Sequence, residues 1–326
     1  MINSWNDLIH KFDLCFSILG CFCTLFVFAT AAVAQDDVIR VDTKLITFEA
    51  AVSNDKGEPI RGLSAKDFRI FVDGIERPID FFQPVVGKVE NRPLAIILAL
   101  DVSGSMTSEE ILKLSESVQG FIRKFSDRNS YFAVLAFAME IKTLQSFTND
   151  PEKLRKSLKK LNHRQDGLST HGYDAVDDAV RMMVRRSPKA IKGKLPKRAV
   201  IVITDGFPVG DIVSPSTVIE RANDAETSVY GVILPSYSRS QRGKKPIMTP
   251  FEASGLIERT GGKSFYASSD SMDELFKSLA DEITASYAIA FYPKDTDRQG
   301  THKVVIESTS GFNISQNRTT YINDDQ

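Results

Sequence analysis

The chain has 326 residues, too many for one small domain and comfortable for two. Its 42% hydrophobic and 25% charged content is that of an ordinary globular protein. With 41 basic and 42 acidic residues the formal net charge is −1, so no global excess points to nucleic acid or to an acidic substrate.

The first 34 residues differ from the rest. Positions 14–34 hold no charged residue, and the run ends on Ala32-Val33-Ala34, the small-x-small pattern of leader-peptidase cleavage. Residues 1–34 are therefore predicted to be a signal peptide that is removed, with Lys11 as a weak positive flank that Asp7 and Asp13 weaken further. The run is also close to the ~20 residues that span a bilayer, so a retained N-terminal anchor is the second reading. A lipid-modified Cys21 fits poorly, because the apolar run continues past it. All three cysteines, Cys15, Cys21 and Cys23, fall in this leader. The chain from Gln35 onward then has no disulfide, no thiolate nucleophile and no cysteine zinc site.

After Gln35 the pattern has period two. Ile46, Phe48, Ala50 and Val52 alternate with Thr47, Glu49 and Ala51, which predicts a half-buried strand. Phe68, Ile70 and Val72 alternate again, and Asp73-Gly74 closes a hairpin. Residues 35–90 thus form a β segment too small to stand alone. From Leu94 the pattern changes to solid apolar runs at 94–100, 131–137, 199–203 and 229–234, typical of strands buried on both faces of a parallel sheet. Between them, Ile111, Leu114, Val118, Phe121 and Phe125 recur at helical spacing, as do Val176, Ala179 and Met183. Residues 91–286 therefore read as a doubly wound α/β domain with a mostly parallel, Rossmann-like sheet. Its last helix is opened by Ser271-Met-Asp-Glu274, a capping box. Residues 287–326 turn β again, with strands at 287–292, 302–307 and 315–321. The two β segments are expected to pack together as a small sandwich in which the α/β domain is inserted.

The chemistry gathers at three loops. Asp101-Val-Ser103-Gly-Ser105 follows the first buried strand, Thr170 closes the loop before the helix at 174–186, and Asp205 ends another buried strand. In open α/β sheets such positions line one crevice. Two carboxylates and three hydroxyls are all oxygen donors and suit a hard cation such as Mg2+. The competing reading is that Ser103 and Ser105 only cap the next helix.

This ordered Asp-x-Ser-x-Ser, Thr and Asp set resembles the metal-ion-dependent adhesion site of von Willebrand factor type A domains. The resemblance covers about 92–286. The flanks Lys66-Asp-Phe-Arg-Ile-Phe-Val-Asp-Gly74 and Tyr287-Ala-Ile-Ala-Phe-Tyr-Pro293 extend it to a group of exported bacterial proteins. It implies that Asp101, Ser103, Ser105, Thr170 and Asp205 hold Mg2+ (or Mn2+), with one position open to a carboxylate from a protein or other acidic ligand. The family commonly reads Gly-Gly-Thr-x-Leu-Tyr-Asp where this chain has Leu168-Ser-Thr-His-Gly-Tyr-Asp174. Thr170 keeps its distance from Tyr173-Asp174, Ser169 is a possible substitute, and His171 reads as a partly exposed loop histidine.

The function so implied is a non-enzymatic, metal-dependent adhesion module, periplasmic or secreted, without nucleic-acid partners and without a membrane span once the leader is gone. The first alternative is a scaffold in an envelope complex whose metal only braces the loops. The second is a metal-assisted hydrolase, which the sequence supports poorly. It has no HExxH, CxxC or GxSxG motif and no phosphate loop, and no motif places a base beside the serines. The basic stretch 181–198 reads as a solvated helix end and loop, and 236–246 as a long polar loop.

Overall fold

The computed structural model describes residues 45–56, 59–83, 92–104, 108–125, 129–161, 169–234, 248–267, 272–294 and 297–323. The leader, Ser105, the Ser271 cap and the loop 236–246 lie outside the described residues.

Six strands form the central sheet: β5 (Leu94–Asp101), β6 (Tyr131–Phe137), β7 (Ile141–Thr148), β8 (Lys197–Thr204), β9 (Thr227–Ile233) and β10 (Ser264–Tyr266), in the order β10-β9-β8-β5-β6-β7. All neighbours run parallel except β6 and β7. Period-two geometry explains why the strands read as solid apolar runs. Leu94, Ile96, Leu98 and Leu100 of β5 point to one face, and Ala95, Ile97 and Ala99 to the other. The first face is covered by α1 (Ser108–Lys124), α2 (Pro151–Leu158) and α7 (Met272–Ile283), through Leu114, Phe121, Leu154, Phe276 and Leu279. The second is covered by α3 (Gly172–Arg186), α4 (Pro215–Asp224), α5 (Pro250–Ala253) and α6 (Leu256–Arg259), through Val176, Val180, Ile219, Phe251 and Ile257. Among the described residues, no helix is long and apolar enough to cross a membrane.

The chain leaves β5 for β6 on one side and later returns to β8 on the other. The strand order therefore reverses between β5 and β8, and the crevice at their carboxyl ends is the switch point where open α/β sheets bind ligands.

The flanking segments interleave into two four-stranded sheets. One has the order β13-β1-β11-β4, from β13 (Asn313–Gln316), β1 (Ile46–Ser53), β11 (Ser286–Phe291) and β4 (Phe81–Gln83). The other has the order β14-β12-β2-β3, from β14 (Thr320–Asn323), β12 (Gly300–Ser308), β2 (Phe68–Val72) and β3 (Ile75–Arg77). Phe48, Ile70, Tyr287, Phe291, Val304 and Ile306 share one core between them. Asp73 and Gly74, at φ 49° and 83°, make the two-residue turn of the β2–β3 hairpin, where positive φ matches the strand twist.

Three expectations need correction. β1 is buried on both faces rather than half-buried, because Thr47 and Glu49 face a polar seam with the α/β domain. There the Ser286 hydroxyl donates to Glu49 Oε2 (2.8 Å), Lys197 Nζ donates to Ser286 Oγ (2.5 Å), and Arg92 pairs with Glu49. The expected strand at 315–321 is split into β13 and β14, which lie in different sheets. Asn317 and Arg318 break it by turning into the same seam. Asn317 Oδ1 accepts from Glu49 N–H (2.8 Å), and Arg318 donates to the Thr47 and Asn223 carbonyls (2.9 and 3.0 Å). The basic stretch 181–198 is likewise not wholly solvated, since Lys197 is buried and Arg198 donates to the Ala225 carbonyl (3.3 Å).

Candidate functional site

Asp101 is the last residue of β5, and Asp205 directly follows β8. β5 and β8 are parallel neighbours, with Leu100 opposite Ile203, so both carboxylates arrive at the switch point. Asp101 is fully buried, at 0% exposure. Each of its oxygens has a partner: the Ser103 N–H donates to Oδ1 (2.9 Å), and the Thr204 hydroxyl donates to Oδ2 (2.8 Å). Burial pushes the Asp101 carboxyl above its ordinary range and the nearby charge of Asp205 adds to this, against the downward pull of the Ser103 and Thr204 hydrogen bonds. Among the described residues, no Lys or Arg forms an ion pair with Asp101 or Asp205.

After Asp205 the chain turns sharply through Gly206, whose φ of 84° is a left-handed conformation. Its N–H donates to Thr204 Oγ1 (3.1 Å), and the Phe207 N–H donates back to Asp205 Oδ1 (3.2 Å). A Cβ at Gly206 would lie 2.5 Å from Thr249 Oγ1, so the close passage of Thr249 also requires glycine here.

Thr170 reaches the same end of the sheet along two routes. Its backbone exchanges hydrogen bonds with Val209 in the loop after β8 (3.0 and 2.9 Å). The next residue, His171, donates its N–H to the carbonyl of Ala138 at the end of β6 (3.0 Å), and the neighbouring Phe137 carbonyl accepts from Val102 N–H (2.9 Å). The structure therefore brings Asp101, Ser103, Thr170 and Asp205 to the crevice between the ends of β5, β6 and β8. Ser103 and Thr170 are buried there.

Three residues outside the sequence-derived set hold this crevice together. Thr204 clamps Asp101, as described. Asp174, in the first turn of α3, accepts the N–H groups of Ile212 (3.1 and 3.0 Å) and Val213 (2.8 Å) and lies 3.0 Å from His171 Nδ1. Burial alone would raise the Asp174 carboxyl, but the Val213, Ile212 and His171 hydrogen bonds bring it below its ordinary value. Asp211 Oδ1 accepts the Asp174 N–H (2.9 Å), closing the loop onto the start of α3. His171 is partly exposed, as expected, and lies within hydrogen-bond distance of the Asp174 carboxylate.

The donor chemistry fits a hard divalent cation. Only oxygen atoms converge, and two neighbouring carboxylates repel each other until a positive charge lies between them. Among the described residues, no group of three or more His, Cys, Asp or Glu side chains is arranged to hold a metal. A site built from two carboxylates and several hydroxyls has a different composition from such a cluster.

A doubly wound α/β domain with an oxygen-donor crevice at its switch point defines the class. Residues 95–247 match the model of the von Willebrand factor type A domain. No curated protein matches the chain. Among solved structures it is similar to an aerotolerance-related membrane protein from Bacteroides fragilis, at 18% identity over 58% of this chain and 98% of that one, with a TM-score of 0.46. It is similar to proximal thread matrix protein 1 from the mussel byssus with a zinc-occupied MIDAS motif, at 13% identity over 62% and 48% of the two chains (TM-score 0.47). The vWF domain of the type V pili tip protein Mfa5 from Porphyromonas gingivalis is similar at 12% identity over 59% and 95% (TM-score 0.43).

Proposed function

We propose that this chain is a divalent-metal-dependent binding module. Asp101, Ser103, Ser105, Thr170 and Asp205 hold Mg2+ or Mn2+, and a carboxylate from a partner protein or another acidic ligand completes the shell. The observation that supports this best is Asp101, a fully buried carboxylate beside a second one, at the switch point, with no cation of the described chain paired to it. The bound ion supplies the missing positive charge and an electrophilic position for an acidic group. The chain's own residues supply the order. Thr204 and the Ser103 N–H fix the Asp101 carboxylate, the Val209 bridge holds Thr170, and Asp174 fastens the loop that carries Asp205.

The same arrangement favours binding over catalysis. Ser103 belongs to the cation's donor set in this reading, so its hydroxyl is committed to the ion rather than to attack as a nucleophile. Residues 91–286 act as the binding domain, with 35–90 and 287–326 as its mount. The leader at 1–34 directs the chain to the periplasm or the exterior.

The test is calorimetric titration of Mg2+ and Mn2+ into the protein and into Asp101→Ala. One ion bound by the wild type and none by a folded Asp101→Ala supports the reading. Equal binding by both overturns it.

A further inference from the structure

We propose that the basic stretch at the amino ends of β5 and β8 is a landing face for an anionic phospholipid surface, carried by Arg185, Arg186, Lys189, Lys192 and Lys194. The proposal does not depend on the metal reading.

The chain as a whole has a formal net charge of −1, yet positions 182–198 hold Arg185, Arg186, Lys189, Lys192, Lys194, Lys197 and Arg198 and no Asp or Glu. Lys197 and Arg198 are engaged at the seam. The other five are exposed, and among the described residues none of them forms an ion pair. Asp178 feels Arg185 only as a through-space charge. Arg185 and Arg186 complement the dipole at the end of α3, which is ordinary. Lys189, Lys192 and Lys194 lie beyond the helix and have no such explanation.

The backbone presents these cations on a pinned support. Ile191 and Lys194 exchange hydrogen bonds (2.9 and 3.0 Å) across a two-residue turn, with Lys192 and Gly193 at φ 49° and 74°. Positive φ at both positions favours Asn-Gly, and a lysine at the first is uncommon. Nothing stands within 4 Å of where a Cβ on Gly193 would lie, so the tip projects from the fold. Behind the tip Ile191 is buried, and Arg92 donates to the Leu195 and Pro196 carbonyls (2.8 and 3.3 Å). Solubility alone requires neither this turn nor a lysine at its strained position.

Three observations select a lipid surface over other anions. The cations are spread along a helix end and a turn instead of lining a pocket. The cleft that Lys189 borders, with Thr47, Glu49 and Arg198, has a volume of about 30 Å³, room for water but not for a sugar ring or a peptide side chain. Val184, 56% exposed, stands next to Arg185 and offers an apolar side chain to the headgroup boundary. Finally, only residues 35–45 separate the apolar run 14–34 from β1, and Thr47 and Glu49 of β1 border the same cleft as Lys189. A bilayer holding that run is thus tethered to the end of the domain that carries the cations.

The metal crevice lies at the opposite ends of the same strands. β5 and β8 have 8 residues each, a length of about 25 Å at the ordinary strand rise. Docking by the basic end turns Asp101, Asp174, Asp205 and Asp211 away from headgroups that repel them.

The test is flotation of the full chain with vesicles of phosphatidylcholine alone and of phosphatidylcholine and phosphatidylglycerol in equal parts. EDTA is present throughout, so no metal bridge contributes. Every variant keeps the leader, so the ratio of wild type to variant on the anionic vesicles isolates the face. A Lys or Arg beside an anionic surface is worth about fivefold in affinity. Lys189→Gln, Lys192→Gln and Lys194→Gln together should weaken binding to the anionic vesicles about a hundredfold and leave binding to the neutral ones unchanged. Raised salt should weaken the wild type on anionic vesicles in the same way. Lys192→Gly should weaken binding about fivefold without lowering the melting temperature, which separates a binding role from a structural one. Equal binding of wild type and triple variant to the anionic vesicles overturns the proposal. So does retention of the wild type, but not the triple variant, on immobilised polyglutamate with no preference for anionic vesicles; that outcome assigns the face to an acidic polymer.

Discussion

Asp101 carries a physical conflict that its neighbours only partly resolve, and this makes its behaviour testable. Its folded carboxyl is raised by burial and by Asp205, so in metal-free protein its contribution to stability declines as pH rises from the ordinary carboxylate value toward the raised one. Asp101→Asn removes that burden. In EDTA the variant should melt no lower than the wild type near neutral pH, while Mg2+ should raise the melting temperature of the wild type only. At about a hundredfold excess over Kd the gain is about 2.7 kcal/mol, read by calorimetric melting. A variant that still responds to Mg2+ would contradict the site. Asp174 has the opposite sign. Its folded carboxyl lies below the ordinary value, so its contribution is fully present above about pH 3.9 and is lost as pH falls through the lower folded value. The melting difference between wild type and Asp174→Asn should therefore be constant at neutral pH and shrink only in acid. Tyr266 gives a third check. Its hydroxyl donates to Glu252 Oε1 (2.5 Å), and that bond first, then burial, pushes the phenol up to about 12. Ultraviolet difference absorbance in alkali should show a late phenol that Glu252→Gln brings down.

β5, β6, β8 and β9 were legible in the sequence because strands buried on both faces leave unbroken apolar runs, and α3 was legible because Val176, Ala179, Val180 and Met183 share one buried stripe. β7 was not. It is an edge strand with register shifts against β6 and side chains that are partly buried or exposed, so no alternation marks it. The site divides in the same way. Asp101, Thr170 and Asp205 could be read because each ends a strand or precedes a helix. Thr204 could not, because its bond to Asp101 spans 103 residues and exists only once β5 and β8 are neighbours. Asp174 and Asp211 were hidden for the same reason, since their partners lie across two loops. The turn after β8 is where backbone and site are most tightly coupled. Gly206→Ala places a Cβ at positive φ against Thr249, and should cost roughly 1–3 kcal/mol in urea unfolding. Because Asp205 is adjacent, Mn2+ affinity should fall with it. Stability lost without loss of affinity would show that Asp205 is positioned independently of this turn.

The polar seam ties the sandwich to the α/β domain through few residues, with Glu49 at its centre. Removing one partner of a buried ion pair leaves the others desolvated and uncompensated, which typically costs about 3–5 kcal/mol. Glu49→Ala strands Arg92 and Lys197 in this way. It should lower the unfolding midpoint in urea and separate one transition into two, read by fluorescence and circular dichroism together. A single unshifted transition would show that the apolar cores alone couple the two parts. The interleaving of the sheets has a further consequence, which concerns time. Among the described strands β1 pairs with β11 and β13, and Glu49, although its partner Arg92 follows it closely, waits for the Ser286 hydroxyl, 237 residues later, before its contacts are complete. A ribosome adding ~5–20 residues per second needs on the order of 10 to 50 s for that distance. Throughout this interval β1, with Phe48 and Val52, is an unpaired apolar edge on a growing chain. The sandwich is therefore the last part of the protein to close and the part most dependent on chaperoning while it is made.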